Sequence, residues 1–168
     1  MTTFHTARVQ DLNVFYRQAG KETNPKLLLL GGFPSSSHQF RNLMPALADR
    51  FHVLSVDYPG FGNTDMPDPA EWDYTFDHLT DIVEGLLDQV DFRGPMGIYM
   101  QDYGAPIGNR LIERHPECVG WQVNRNANTH GEGLPAGRGR HRPRPRGGRA
   151  PARDGPRPAV HPDAPPRA

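Results

Sequence analysis

With 168 residues the chain has room for one domain or for part of a larger one, and 19 Lys and Arg balance 19 Asp and Glu. The zero average joins two unlike stretches: residues 1–137 hold 10 basic and 17 acidic side chains, whereas residues 138–168 hold nine Arg and two Asp. The single cysteine, Cys118, excludes an intrachain disulfide, and no apolar run approaches the roughly 20 residues that cross a bilayer.

The start, Met1-Thr2-Thr3-Phe4-His5, has none of the charged-then-apolar layout of a secretory leader, so a cytoplasmic protein is expected. Residues 3–9 and 14–18 alternate weakly around Gln10-Asp11-Leu12-Asn13 and predict a β-hairpin. Lys26-Leu27-Leu28-Leu29-Leu30, ended by Gly31-Gly32, is a short continuous apolar run that fits a strand covered on both faces. Ser37 is positioned to cap a helix to about residue 48, with Phe40, Leu43, Met44 and Leu47 on one stripe. A second buried strand over 52–56 ends at Asp57-Tyr58-Pro59-Gly60, and turn chemistry dominates to residue 73.

Phe76, Leu79, Ile82, Val83, Leu86, Leu87 and Val90 then recur at helical spacing. A strand over 96–100, a helix over 105–114 and a strand over 119–123 complete the pattern. Cys118, between that helix and that strand, is expected to be a small buried hydrophobe rather than a reactive thiol. Strands alternating with helices predict an α/β fold: a mostly parallel sheet entered through an antiparallel N-terminal hairpin, and incomplete at the C-terminus.

Open parallel sheets carry their reactive groups at the carboxyl ends of strands. Three such ends are unusual here: Gly31-Gly32-Phe33-Pro34, Asp57 through Asp65, and Gln101-Asp102-Tyr103-Gly104. In the third, an apolar strand reaches a carboxylate, then a small residue, then a helix; a sharp strand-to-helix turn lifts one side chain above the sheet beside free backbone N–H groups. Asp102 is also well suited to cap the helix that follows it, and this window alone weights the two roles evenly.

The three motifs in this order resemble the α/β-hydrolase superfamily over roughly residues 5–135, and most closely its Asp-nucleophile branch, the haloalkane dehalogenases and epoxide hydrolases. Gly31-Gly32-Phe33-Pro34 is similar to the branch's H-G-x-P turn with Gly31 in place of His, and Asp57–Asp65 to its D-x-P-G-x-G-x-S-D loop with Thr64 in place of Ser. Tyr103 stands where many relatives have Trp, and Arg114-His115-Pro116-Glu117-Cys118-Val119 resembles an R-H-P-E-R-V helix exit. The resemblance implies that Asp102 is the nucleophile and that the backbone N–H groups of Phe33 and Tyr103 form the oxyanion hole. It implies a small apolar organic substrate for the intact parent, attacked at a carbon–halogen or epoxide bond, with no metal or organic cofactor. Phe33 suits the epoxide hydrolases better, because dehalogenases tend to carry Asn or Glu there.

The same resemblance puts a cap, an acid and a catalytic histidine beyond the sixth strand, but the chain leaves the pattern near Gly133-Leu134-Pro135. His130, His141 and His161 follow no predicted strand, and neither Asp154 nor Asp163 has a better claim, so catalytic turnover by this chain is not expected. Residues 138–168 use only Arg, Pro, Gly, Ala, His, Asp and Val, and every one of these has codons that begin with G or C. In a GC-rich gene, a slip that turns third bases into first bases produces such an alphabet. We therefore expect an N-terminal hydrolase part at 1–137 and, at 138–168, a disordered tail arising from a frameshift near residues 134–138. The alternative is a non-catalytic protein whose basic tail binds nucleic acid or acidic surfaces through charge. Nucleic acid is the weaker expectation, since the tail has no aromatic side chain on which a base could stack.

Overall fold

The computed structural model describes residues 1–126. The sequence features assigned to residues 127–168, including the basic tail, His130, His141, His161, Asp154 and Asp163, lie outside the described residues. Six strands form one mixed sheet: β1 (Thr2–Val9), β2 (Leu12–Ala19), β3 (Lys26–Leu30), β4 (His52–Val56), β5 (Met96–Gln101) and β6 (Val119–Arg125), in the order β1-β2-β4-β3-β5-β6. The hairpin pairs β1 with β2 and then β2 with β4, both antiparallel, while β4, β3, β5 and β6 run parallel. Val9 pairs with Leu12, so the turn holds only Gln10 and Asp11, with Gln10 at φ 48°. The strands are therefore longer than the alternation alone implies.

The leucine run behaves as a doubly covered strand must. Leu28 and Leu30 join the core cluster under α2 (Phe76–Gln89) and α3 (Gly104–Arg114), and Leu27 and Leu29 join a second cluster with Phe40 and Met44. Leu28, Leu29 and Leu30 are all fully buried. Thr75 caps α2 by accepting the His78 N–H, and Leu79, Ile82, Val83, Leu86 and Leu87 bury the expected stripe.

The helix expected over residues 37–48 is instead two pieces, a 3-10 turn (Ser37–Phe40) and a short α1 (Leu43–Leu47). Pro45 is the reason: a continuous helix would need its missing N–H at the Arg41 carbonyl and would press its ring against that group. Ser36, not Ser37, caps the turn, and Leu43 points outward while Phe40 and Met44 are buried. Cys118 is half-buried, packed on the core margin just before β6. β6 lies at the margin of the described sheet with Trp121 and Val123 exposed. Among the described residues no helix is long and apolar enough to cross a membrane.

Candidate active site

The carboxyl ends of β3, β4 and β5 bring the three sequence motifs together. At the end of β5 the chain turns into α3 within a few residues, and Asp102 takes φ 50°, in the left-handed region that a non-glycine residue rarely adopts. Such backbone strain persists where the surroundings hold it, and it points the Asp102 side chain out of the sheet. Its Oδ1 accepts two backbone N–H groups, from Phe33 at 3.0 Å and from Tyr103 at 2.7 Å. The helix-capping alternative does not describe this side chain: Tyr103 holds the cap position of α3, and the Ala105 N–H bonds the backbone carbonyl of Asp102. The carboxylate is exposed among the described residues.

Gly32 lets the Phe33 turn come this close. A Cβ there would lie 2.5 Å from the Asp102 Cβ and 3.0 Å from Oδ1, so a side chain at 32 would push the carboxylate off its two donors.

The middle motif acts as scaffold. Asp57 is buried at the end of β4; Oδ1 accepts the Ser37 N–H at 2.6 Å and Oδ2 the Asn63 N–H at 3.0 Å. Thr64 fills its serine position functionally, since its hydroxyl donates to the Asp57 carbonyl at 2.6 Å and accepts the Phe15 N–H at 2.8 Å. Asp65 ties the loop to the hairpin by accepting both the backbone and side-chain N–H groups of Asn13.

Around the carboxylate stands an aromatic set that the sequence patterns do not single out. The Phe33 ring lies 5.5 Å from that of Tyr103 and 6.0 Å from that of Phe61, and Phe76 meets Tyr103 edge-on at 5.1 Å. Phe76 reads in the sequence as one more member of a helical stripe, and Phe61 as a turn residue. Tyr58 is fully buried beneath them and donates to the Gly31 carbonyl at 3.2 Å. Burial, with the Asp57 charge adding to it, pushes the Tyr58 hydroxyl far above its ordinary range, so it remains a donor.

The described histidines are engaged elsewhere. His5 bonds Thr3, His52 packs edge-on against Phe92, His78 stacks on Trp72, and His115 sits 3.2 Å from Glu84; His38 lies exposed in the 3-10 turn. Among the described residues no group of three or more His, Cys, Asp or Glu side chains could hold a metal ion.

A family profile described as alpha/beta hydrolase fold matches residues 25–140, about two thirds of the chain. The chain belongs to the alpha/beta hydrolase fold family. An uncharacterized hydrolase of Saccharomyces cerevisiae is 43% identical over 132 residues, which cover 78% of this chain and 44% of that protein. A haloalkane dehalogenase of Psychrobacter cryohalolentis is 34% identical over 108 residues, covering 64% and 35% respectively. The crystal structure of an epoxide hydrolase from Vigna radiata superposes with a TM-score of 0.66 at 26% identity, over 73% of this chain and 39% of that one. This chain thus spans less than half the length of the relatives it matches. Likeness to both named activities agrees with the Asp-nucleophile branch of the hydrolases.

Proposed function

We propose that Asp102 is the nucleophile of a hydrolase acting on small apolar organic molecules with an epoxide or carbon–halogen bond. The observation that carries this reading is the elbow at Asp102, where one carboxylate oxygen takes both backbone donors and the side chain faces outward. With Oδ1 held, Oδ2 is the oxygen left to attack. It forms a bond to the substrate carbon while the carbon–halogen or ring carbon–oxygen bond breaks, and the leaving atom keeps the electron pair. Halide departs as an anion; an epoxide oxygen becomes an alkoxide that takes up a proton. The product of this half-reaction is an ester on Asp102 whose carbonyl oxygen is Oδ1, already seated between the Phe33 and Tyr103 N–H groups. Attack by water on that ester places negative charge on the same oxygen, so the two donors serve the second step without moving.

The aromatic set supports an apolar substrate, and Phe33 favours an epoxide over a haloalkane. Dehalogenases tend to carry a polar Asn or Glu at this position, where this chain has Phe33. An ester or lactone is the less suitable substrate, because a carboxylate attacks a carbonyl poorly compared with a strained or halogenated carbon.

Hydrolysis of the ester needs a base to activate water, and no described histidine is placed for it. We therefore propose that this chain is the N-terminal part of the parent enzyme over residues 1–137, that residues 138–168 arise by frameshift, and that the chain takes up substrate without releasing product. Incubation with styrene oxide or 1-bromohexane, followed by peptide mass mapping, is expected to find the substrate mass on Asp102 and none in Asp102→Asn. No adduct with either compound, or an adduct that persists in Asp102→Asn, overturns the nucleophile assignment. Sequencing the gene across codons 125–168 and onward is expected to find cap, acid and histidine segments in another frame; their absence overturns the frameshift.

A further inference from the structure

Gln39 belongs to the 3-10 turn after the Phe33 loop, and nothing in the motifs assigns it a role. Its side chain runs back to β3: the Nε2 atom lies 1.9 Å, and Cδ 3.1 Å, from where a Cβ on Gly31 would be. The carboxamide thus occupies the space that a side chain at position 31 would take. That Nε2 is buried and has no hydrogen-bond partner among the described residues. A buried amide donor without a partner is costly, so the contact is one of volume rather than of hydrogen bonding.

What lies on either side of this contact makes it consequential. The turn that carries Gln39 is pinned below by the Ser37 N–H on the Asp57 carboxylate, and its Gln39 N–H bonds the Ser36 carbonyl at 3.0 Å. Gly31 is held through its carbonyl by the Tyr58 hydroxyl. Two residues on, the Phe33 N–H meets Asp102. Gly31 followed by Gly32 has no side chain of its own to fix the backbone of the turn. We infer that Gln39 is the positioning residue of the oxyanion turn: its carboxamide packs behind Gly31 in place of a side chain at that position and holds the Phe33 N–H on Asp102.

The inference rests on the proposed oxyanion role of the Phe33 N–H, but its test uses no substrate, so loss of the ester reaction and loss of this role are separate results. The measurement is the amide proton shift of Phe33 and of Tyr103 in the 15N-labelled full chain, with and without Asp102→Asn. A hydrogen bond to a carboxylate moves an amide proton downfield, so Asp102→Asn is expected to move both signals upfield. In a Gln39→Ala background the Phe33 displacement is expected to fall below half, while that of Tyr103, whose donor is set by the elbow itself, stays. Adding Gly31→Ala to Gln39→Ala refills the space and is expected to restore the Phe33 displacement. Gln39→Met, which fills the volume without an amide, is expected to keep it. An unchanged Phe33 displacement in Gln39→Ala overturns the role, as does an equal loss at Phe33 and Tyr103, which would mark general loosening. Should Gln39→Ala fail to fold, a folded Gln39→Met that loses the Phe33 displacement overturns it.

Discussion

Two aspartates follow β4 and β5, the strands on either side of β3 in the parallel part of the sheet, and each accepts two backbone N–H groups, yet they do opposite things. Asp57 divides its bonds, one donor to each oxygen, and is buried; Asp102 gives both donors to Oδ1 and stays exposed. Each is approached by a glycine that leaves room for it, Gly62 beside the Asp57 Oδ2 and Gly32 beside Asp102. The difference teaches that a carboxylate at a strand end is structural when both oxygens are consumed and chemically available when one is left over. Asp57 staples the loop after β4 to the turn after β3, and that staple carries the turn whose Phe33 N–H serves Asp102.

The comparison breaks most visibly at Asp57. Asp57→Ala leaves the buried Ser37 N–H without its acceptor and removes the part-buried bond from the Asn63 N–H, so a loss of about 3–4 kcal/mol is expected in urea unfolding of the full chain. Gly62→Ala comes next. Its φ of 52° disfavours a side chain, and its Cβ would fall 1.9 Å from the Asp57 Oδ2, so a loss of about 2–3 kcal/mol is expected by the same measurement. Gly32→Ala mirrors it at the other carboxylate: ester formation on Asp102 is expected to slow at least about tenfold, consistent with the loss of one oxyanion donor, with a smaller change in stability than Gly62→Ala. Asp102→Asn, being exposed, is expected to change stability by less than about 0.5 kcal/mol while abolishing the adduct. If Asp102→Asn proved as destabilising as Asp57→Ala, the two carboxylates would be staples alike.

The smallest expected effect lies away from both. Asp77 bonds Arg110 across α2 and α3 at 2.7 Å, and that bond holds its carboxyl below the ordinary carboxylate range. A carboxyl depressed in the folded state contributes stability that is present above its unfolded pKa and is lost as pH falls through the folded value. Stability of the wild type relative to Asp77→Asn is therefore expected to be higher at pH 5 than at pH 2.5, by a few tenths of a kcal/mol at most because the pair is largely exposed. An unchanged difference over that range would remove the ion pair from the account.

Much of this was legible residue by residue. Leu27 to Leu30 announce a doubly covered strand because every position is apolar, and Phe76 to Val90 announce a helix because their spacing matches its turn. The short turn after Met96–Met100 marks Asp102 as special but fits a presented side chain and a helix cap equally. The region after Ser37 misleads, since its apolar stripe has the right spacing but Pro45 interrupts the hydrogen-bond ladder that spacing presupposes. The contacts of Phe61 and Phe76 with the Phe33 and Tyr103 rings are silent in the sequence, because a ring gives the same apolar signal wherever it packs.

Outside the stretch after Ser37, the sequence by itself determined the element types, the α/β order and the three motif-bearing strand ends, since each depends on contacts within a few residues or on a local period. Only the tertiary structure decided which carboxylate is a staple and which is available. The donors that make the difference come from far along the chain: Ser37 reaches Asp57 across 20 positions and Phe33 reaches Asp102 across 69. An N–H group has no sequence signature of its own, so its partner is known only when the backbone has been placed.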